Sequence, residues 1–446
     1  MPDKRLISLV SLAVVFTGSI LLIMFGLERH QSVALLSVYT LAFVAYLGVY
    51  ALVDHKKKLW ALLGLSVLLR LLILPAFPEL SDDVYRFIWD GRLLVQGVHP
   101  FAYLPSEIME LSLDMQLVGI DQALFSQLNS PEYYSIYPPV NQAIFALSAY
   151  LFSESVWGSI LFIRSVIVIG ELLTLFVIFS YLKLKGFADQ KRLLLYALNP
   201  LIILELSGNL HFEALMICFL LISYVLLEKG RWILSTLFFA LSICTKLLPL
   251  ILLPLLLSRL GWRRAFLYYL LTALFCLLFF MPLLSIELVQ GISQSIGLYF
   301  QKFEFNASVY YIIREIGYEL KGYNIIAKAG RWLAASTFLA IISYAIFERK
   351  KQLPTAWLLV WFIYLLLSTI VHPWYVTPML AFAVFSHYRF AYVWSWLIFF
   401  SYAGYTKEGF DEVLSITILE YSIVIAVLTY ELWKTYTRKS EVPIGH

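Results

Sequence analysis

Two adjacent carboxylates, Asp82 and Asp83, stand in PELSDDVYRFIWDGRLLVQGVHPFAYLP, a few residues beyond an apolar run. Neighbouring carboxylates raise each other's pKa and attract cations. Such a group can take a proton from a hydroxyl, and a divalent cation is a candidate partner for the pair. The same residues also fit a plainer part. Ser81 or Asp82 would cap an interfacial helix carrying Tyr85, Arg86, Phe87 and Trp89, with Asp83 favourable at its positive end.

More ionisable residues fall at the ends of apolar runs. GNLHFE sets His211 and Glu213 between two short runs, and TKLLPLILLP sets Lys246 between two more. IVHPWYVTP places His372 beside Trp374 and Tyr375. A cation at the membrane is costly without a partner. Lys246 therefore snorkels, pairs with an acid, or holds an anion. The histidines also fit as satisfied helix-end residues, and Trp374 and Tyr375 as an aromatic belt. In YFQKFEFNASVYYIIREIGYELKGYN, Asn306 with Ser308 spells N-x-[ST], read here as a binding or capping residue. Arg314 follows on a short helix; arginine at a membrane surface, facing a cavity, is a natural phosphate ligand.

The elements that must position these residues are membrane helices. The chain has 446 residues, 61% hydrophobic and 14% charged, with mean hydropathy +0.81. That excludes a soluble enzyme, a disordered chain and a disulfide scaffold. The three cysteines, Cys218, Cys244 and Cys276, lie in apolar runs and read as small buried hydrophobes. Net charge is +4, too weak to suggest nucleic acid. The N-terminal run is long and lacks a small-residue cleavage site, so it reads as a retained first helix.

Apolar runs without two-residue alternation are helical. They cover 6–26, 33–53, 59–77, 157–181, 193–207, 214–227, 232–245, 247–257, 265–284, 332–347, 355–371, 374–386, 390–404 and 413–433. This is an all-α, polytopic transmembrane helix bundle of roughly 14 crossings if each run spans, although several are short of ~20 residues. Lysine and arginine concentrate at Lys4–Arg5, Lys56–Lys58, Lys183–Arg192, Lys229–Arg231, Arg259–Arg264, Arg349–Lys351, Arg389 and Lys434–Lys439. The positive-inside rule puts these segments and both termini in the cytoplasm. Two long exterior loops result. The first, 78–135, is strongly acidic and continues to 156 through a helix at 137–154 that opens YPPVNQ and lies on the surface. The second is about 285–331. No internal repeat is visible.

In order, SDDVYRFIWDGR, YPPVNQ, GNLHFEAL, TKLLP and HPWY resemble the GT-C-fold glycosyltransferases, integral membrane enzymes using polyprenyl-phosphate sugars, and most of all their bacterial mannosyltransferase-type members. The resemblance spans 59–386, with 1–58 and 390–446 as added transmembrane helices, the latter ending in a cytoplasmic tail. It implies a multi-pass enzyme of the cytoplasmic (inner) membrane with an outward-facing site. It moves a hexose, mannose by resemblance, from a polyprenyl-phosphate donor to a glycan or glycolipid acceptor with inversion. Asp83 or Asp82 would be the base, Asp83 being favoured because Asp82 can be spent as a cap. Lys246 would hold the phosphate, and His211, Glu213, His372 and Arg314 would line the cavity. The substrate-binding set extends to Tyr85, Arg86, Asp90 and Arg92, to Tyr137 and Asn141 of the YPPVNQ segment, to Asn306 and Tyr310, and to Trp374 and Tyr375. The adjacent acidic pair departs from the family's spaced Asp-x-Asp, which leaves the base and any metal open. Two other classes fit such a chain: a secondary transporter or lipid flippase, with polar groups at the midplane, and a polysaccharide ligase or polymerase.

Overall fold

The computed structural model describes residues 4–115, 117–183, 186–301, 303–348 and 351–440, and they are helical and loop with only isolated β-bridges. Among the described residues, six helices are long and apolar enough to cross a membrane: α1 (Lys4–Gly26), α2 (Ser32–Leu52), Val156–Leu182, Pro254–Leu283, Ile326–Phe347 and Leu414–Thr437. Their outward residues, Val14, Phe176, Leu270, Phe338 and Ile418 among them, stay exposed, as suits side chains that face lipid. The fold is thus an all-α polytopic bundle.

The other runs expected to cross appear as shorter or broken elements. Between the long helices lie shorter ones, including Trp232–Ile243, Leu353–Leu366 and Phe390–Gly404. Ile202–Gly208 and Glu213–Glu228 are bent 107° to each other at a four-residue break. Within Pro254–Phe280, Gly261 is non-helical at φ 72°, ψ 159°. The Tyr269 hydroxyl donates to the Leu253 carbonyl at 2.9 Å, although 16 residues separate them. A continuous helix would hold them ~24 Å apart. The chain therefore folds back at Gly261, with Arg259, Arg263 and Arg264 at the bend. Pro139–Leu151 has 13 residues, about 20 Å of helix, too short for a ~30 Å hydrocarbon core.

Buried charges fix the short elements. Arg70, near the end of α3 (Lys56–Leu72), makes a two-pronged pair with Glu171 at 3.1 Å on each arm, both side chains fully buried. Arg164 donates to the carbonyls of Leu74, Ala76, Ser207 and Gly208. These carbonyls end two helices and would otherwise lack donors. One guanidinium thus ties the end of α3 to the break after Gly208.

The ends of the bundle differ in charge. Lys191 lies over the Tyr50 ring at 4.5 Å, Arg192 donates to the Ala383 carbonyl, and Lys58 pairs with Asp54. Basic connections gather there, while the loops with Arg29, Asp82, His211 and His372 meet at the other end. Lys185, Arg349, Lys350 and the tail 441–446 lie outside the described residues.

Candidate active site

Five connections meet at the end away from the basic residues. They are the α1–α2 turn, the start of α4 (Asp83–Val95), the break 209–212, the turn 244–247 after Trp232–Ile243, and the segment 368–376. Each breaks for a local reason. Leu210 sits at φ +60°, a conformation costly for a non-glycine residue and typical of functional sites. Asn209 braces that turn by accepting from the Leu80 amide. Pro249 follows Lys246 and Pro373 follows His372, so neither preceding helix continues.

Asp83 accepts from the Asn129 amide at 3.0 Å, and its other oxygen lies 4.0 Å from His211 Nδ1. Its side chain remains 26% accessible. Burial raises its carboxyl above the usual aspartate value, while the Asn129 hydrogen bond and then the Lys246 charge pull it back down. Asp82 is different. It occupies the N-cap position but makes no side-chain cap bond. Instead it pairs with Arg29 at 2.6 Å, and Arg29 lies over the Tyr405 ring at 5.2 Å. Of the two caps expected, Ser81 accepts from the Asp83 N–H at 3.4 Å, whereas Asp82 is neutralised by an ion pair, which leaves Asp83 as the carboxylate without a salt bridge to lysine or arginine among the described residues.

Lys246 pairs with the fully buried Glu213 and lies 5.4 Å above the Tyr375 ring. His211, Trp374 and His372 form a continuous stack, with ring centroids 3.8 Å and 4.4 Å apart. Burial, and then the Lys246 charge, lowers His372 to about 3. Two buried atoms of this cluster, Glu213 Oε2 and His372 Nδ1, lack hydrogen-bond partners among the described residues, and His211 Nε2 faces the Glu205 carboxylate at 3.5 Å without a hydrogen bond. Buried polar atoms are normally satisfied, so their grouping marks a place built for something polar.

An apolar cavity of about 370 Å³ is lined in part by residues that follow Lys246 and precede His372 in the chain. Leu250, Ile251 and Pro254 form one wall, Gly330, Phe338 and Ile341 another, and Ser368–Thr369 its end. It thus runs from the lipid-facing helix Ile326–Phe347 to within a few residues of both Lys246 and His372.

The structure brings Asp82, Asp83, His211, Glu213, Lys246, His372, Trp374 and Tyr375 together. The other candidates have the following surroundings. Arg86 and Asp90 pair at 2.8 Å; Arg86 also binds the carbonyls of Ser130 and Tyr133, and Asp90 accepts from Ser135 and Gln142. Arg92 donates to the Gly119 carbonyl. Tyr137 packs edge-on against Phe87 and Phe145. Tyr85 starts α4 half-buried. Asn141 is fully buried, with neither amide atom bonded among the described residues. Asn306, at φ +44°, donates its side-chain amide to Glu420 and its backbone N–H to Glu412, and accepts from the Thr417 and Tyr421 hydroxyls. Arg314 pairs with Glu304 and Glu315, and Tyr310 donates to Glu304. The second loop touches the cluster through Phe305, 4.5 Å from the His372 ring.

A family model described as alpha-(1->6)-mannopyranosyltransferase, N-terminal domain, matches residues 7–261, more than half of the chain. The chain belongs to the alpha-(1->6)-mannopyranosyltransferase family. Alpha-(1->6)-mannopyranosyltransferase B of Corynebacterium glutamicum is 28% identical over 153 residues, 34% of this chain and 24% of that protein. A protein named probable alpha-(1->6)-mannopyranosyltransferase, from Mycolicibacterium smegmatis, is 28% identical over 164 residues, 37% of this chain and 26% of its own. The matches thus span about a quarter of each relative's length. No solved structure gives a significant match. The family match starts at residue 7, so it includes α1 and α2, the source of Arg29.

Arg29, Asn129 and Tyr405 escaped the sequence reading. Arg29 and Tyr405 lie outside the 59–386 stretch that carried the resemblance, and Asn129 sits in a loop without periodicity. Glu205 was also missed; it lies 3.5 Å from His211 Nε2 and accepts from the Tyr402 hydroxyl. An acid inside the apolar run 193–207 was the available signal.

Proposed function

We propose that this chain transfers a mannosyl residue from a polyprenyl-phosphate donor to a hydroxyl of a glycan or glycolipid acceptor. The acceptor stands on the outer face of the cytoplasmic membrane, and the linkage is the α-1,6 bond of the family name. The observation that carries this reading is the convergence of Asp83 and Lys246 on one cluster, at the end opposite the basic residues. Positive-inside reasoning makes that end exterior.

The chemistry follows from the charges. Asp83 takes the proton of the acceptor hydroxyl as its oxygen attacks the anomeric carbon. The bond from that carbon to the phosphate oxygen breaks, and the displacement inverts the centre in one step. Negative charge collects on the lipid phosphate, where Lys246 stabilises it. Glu213 holds the ammonium in place before the phosphate arrives. The polyprenyl tail lies in the cavity between Leu250–Pro254 and Ile326–Phe347, which keeps it in an apolar medium while its headgroup reaches Lys246. The His211–Trp374–His372 stack offers an aromatic face to the sugar.

A divalent cation at Asp82/Asp83 would have the two carboxylates as donors, but Arg29 already compensates Asp82. On this reading chelation leaves the rate unchanged. The test is transfer of radiolabelled mannose from polyprenyl-phosphate mannose to mannoside acceptors by purified protein. Transfer that ignores the Asp83→Asn substitution would remove the proposed base.

A further inference from the structure

At the basic end, α1 and α3 flank a cavity of about 490 Å³, within the range of small-molecule sites. Leu6, Leu9, Val10 and Ala13 line it from α1, and Ala61, Leu62 and Leu65 from α3. Both sets recur at three- and four-residue spacing, so each helix turns one apolar stripe toward the other. Leu9 and Leu62 are buried and form the floor; Leu6, Val10 and Ala61 are exposed and form the rim. The cavity therefore opens sideways, toward the lipid around the bundle.

Its mouth is cationic. His55, Lys57 and Lys58 line it. Lys58 is buried and pairs with Asp54 at 2.9 Å, so its charge is used locally. Lys57 is exposed and has no ion pair among the described residues. Lys56 adjoins it, and Lys4 begins α1 two residues before Leu6. An apolar slot under a lysine-rich mouth calls for a ligand with an apolar tail and an anionic head. Basic pockets between transmembrane helices bind anionic headgroups in this way.

We propose that this crevice is a binding site for an anionic phospholipid of the leaflet at the basic end, with an acyl chain against Leu9 and Leu62 and the headgroup phosphate on Lys57. The site is independent of the transfer reaction, which takes place at the other end. A lipid seated there fills the gap between α1 and α3 and so steadies the helix that leads to Arg29.

The probe is phosphatidylglycerol, compared with phosphatidylcholine of the same acyl chains. The full chain, purified in detergent, is incubated with each lipid, and retained lipid is read by native mass spectrometry. The wild type should retain phosphatidylglycerol in preference to phosphatidylcholine. Lys57→Glu should lower that preference about tenfold, since it replaces an attraction with a repulsion near the headgroup. Ala61→Trp, at the exposed rim, should fill the slot and abolish retention of both lipids. Val10→Trp does the same from α1 should Ala61→Trp fail to fold. Equal retention of the two lipids, or retention unchanged by these substitutions, overturns the proposal. So does a second copy of the chain seated on this face in a dimer.

Discussion

At the scale of single residues, the pair Asp82–Asp83 divides its labour through what each touches. Arg29 neutralises Asp82, whereas among the described residues the Asp83 carboxylate meets an amide and a histidine ring nitrogen at 4.0 Å. Asp83→Asn should therefore cost 10²–10⁴ in rate, the usual loss of a positioned base, with Asp82→Asn costing much less; steady-state rates on both variants check this. The pH profile follows from the sign of the Asp83 shift. Burial raises its carboxyl, and a base must be ionised, so activity should fall with acidification at a pH above the ordinary aspartate range of about 4. His372, lowered to about 3, stays neutral throughout that window and contributes no limb there. A rate constant down to pH 4 would contradict the assignment.

Lys246 shows what a sequence does and does not disclose at this scale. Its cost in an apolar run demanded an anion, and two anions satisfied the demand, a side chain or a phosphate. The structure supplies Glu213, 33 residues away, a distance no local pattern reveals. The two roles separate by a double substitution. Lys246→Met alone should lower the melting temperature, because it strands the buried Glu213 carboxylate. Lys246→Met with Glu213→Gln should recover most of that stability yet still bind the lipid donor weakly. Full donor affinity in the stable double variant would remove the phosphate role.

At the scale of elements, the long helices were legible because twenty apolar residues have few other uses. Six of the runs lie in such helices; most ends fall within a few residues of those expected, but Pro254–Leu283 begins well before the run at 265 and Ile326–Phe347 before the run at 332. The short elements were less legible. Their ends are set by long-range partners such as Arg164, whose four acceptors come from positions 74, 76, 207 and 208. The fold-back at Gly261, by contrast, was legible as the basic connection Arg259–Arg264 between the runs 247–257 and 265–284. Arg164→Met should strand those carbonyls and cost roughly 3 kcal/mol or more, at about 1–3 kcal/mol for each buried group left without a donor. The melting temperature should drop markedly, while Arg164→Lys should recover only part, since an ammonium cannot span four acceptors.

At the scale of the whole molecule, charge asymmetry and site placement agree. The candidate residues that converged came from motifs at the ends of apolar runs. Those that did not, Arg86, Asp90, Asn306 and Arg314, sit within 78–135 and 285–331, where each has a polar or charged partner of its own. From the stretch 1–58 Arg29 reaches Asp82, and from the segment after 390 the Tyr405 ring lies against Arg29. Cysteines placed in 78–135 should react with an impermeant thiol reagent in intact cells. Labelling only after lysis would reverse the orientation.

The central claim is a mannosyl transfer from a lipid phosphate, with Asp83 as the base. Purified wild type and Asp83→Asn should be given polyprenyl-phosphate [¹⁴C]mannose and a mannoside acceptor, and the product linkage determined. The account predicts α-1,6-linked radiolabelled product from the wild type and at least a hundredfold less from Asp83→Asn at unchanged donor affinity. Transfer from a nucleotide-linked mannose with none from the lipid donor, or equal rates in both proteins, would contradict it.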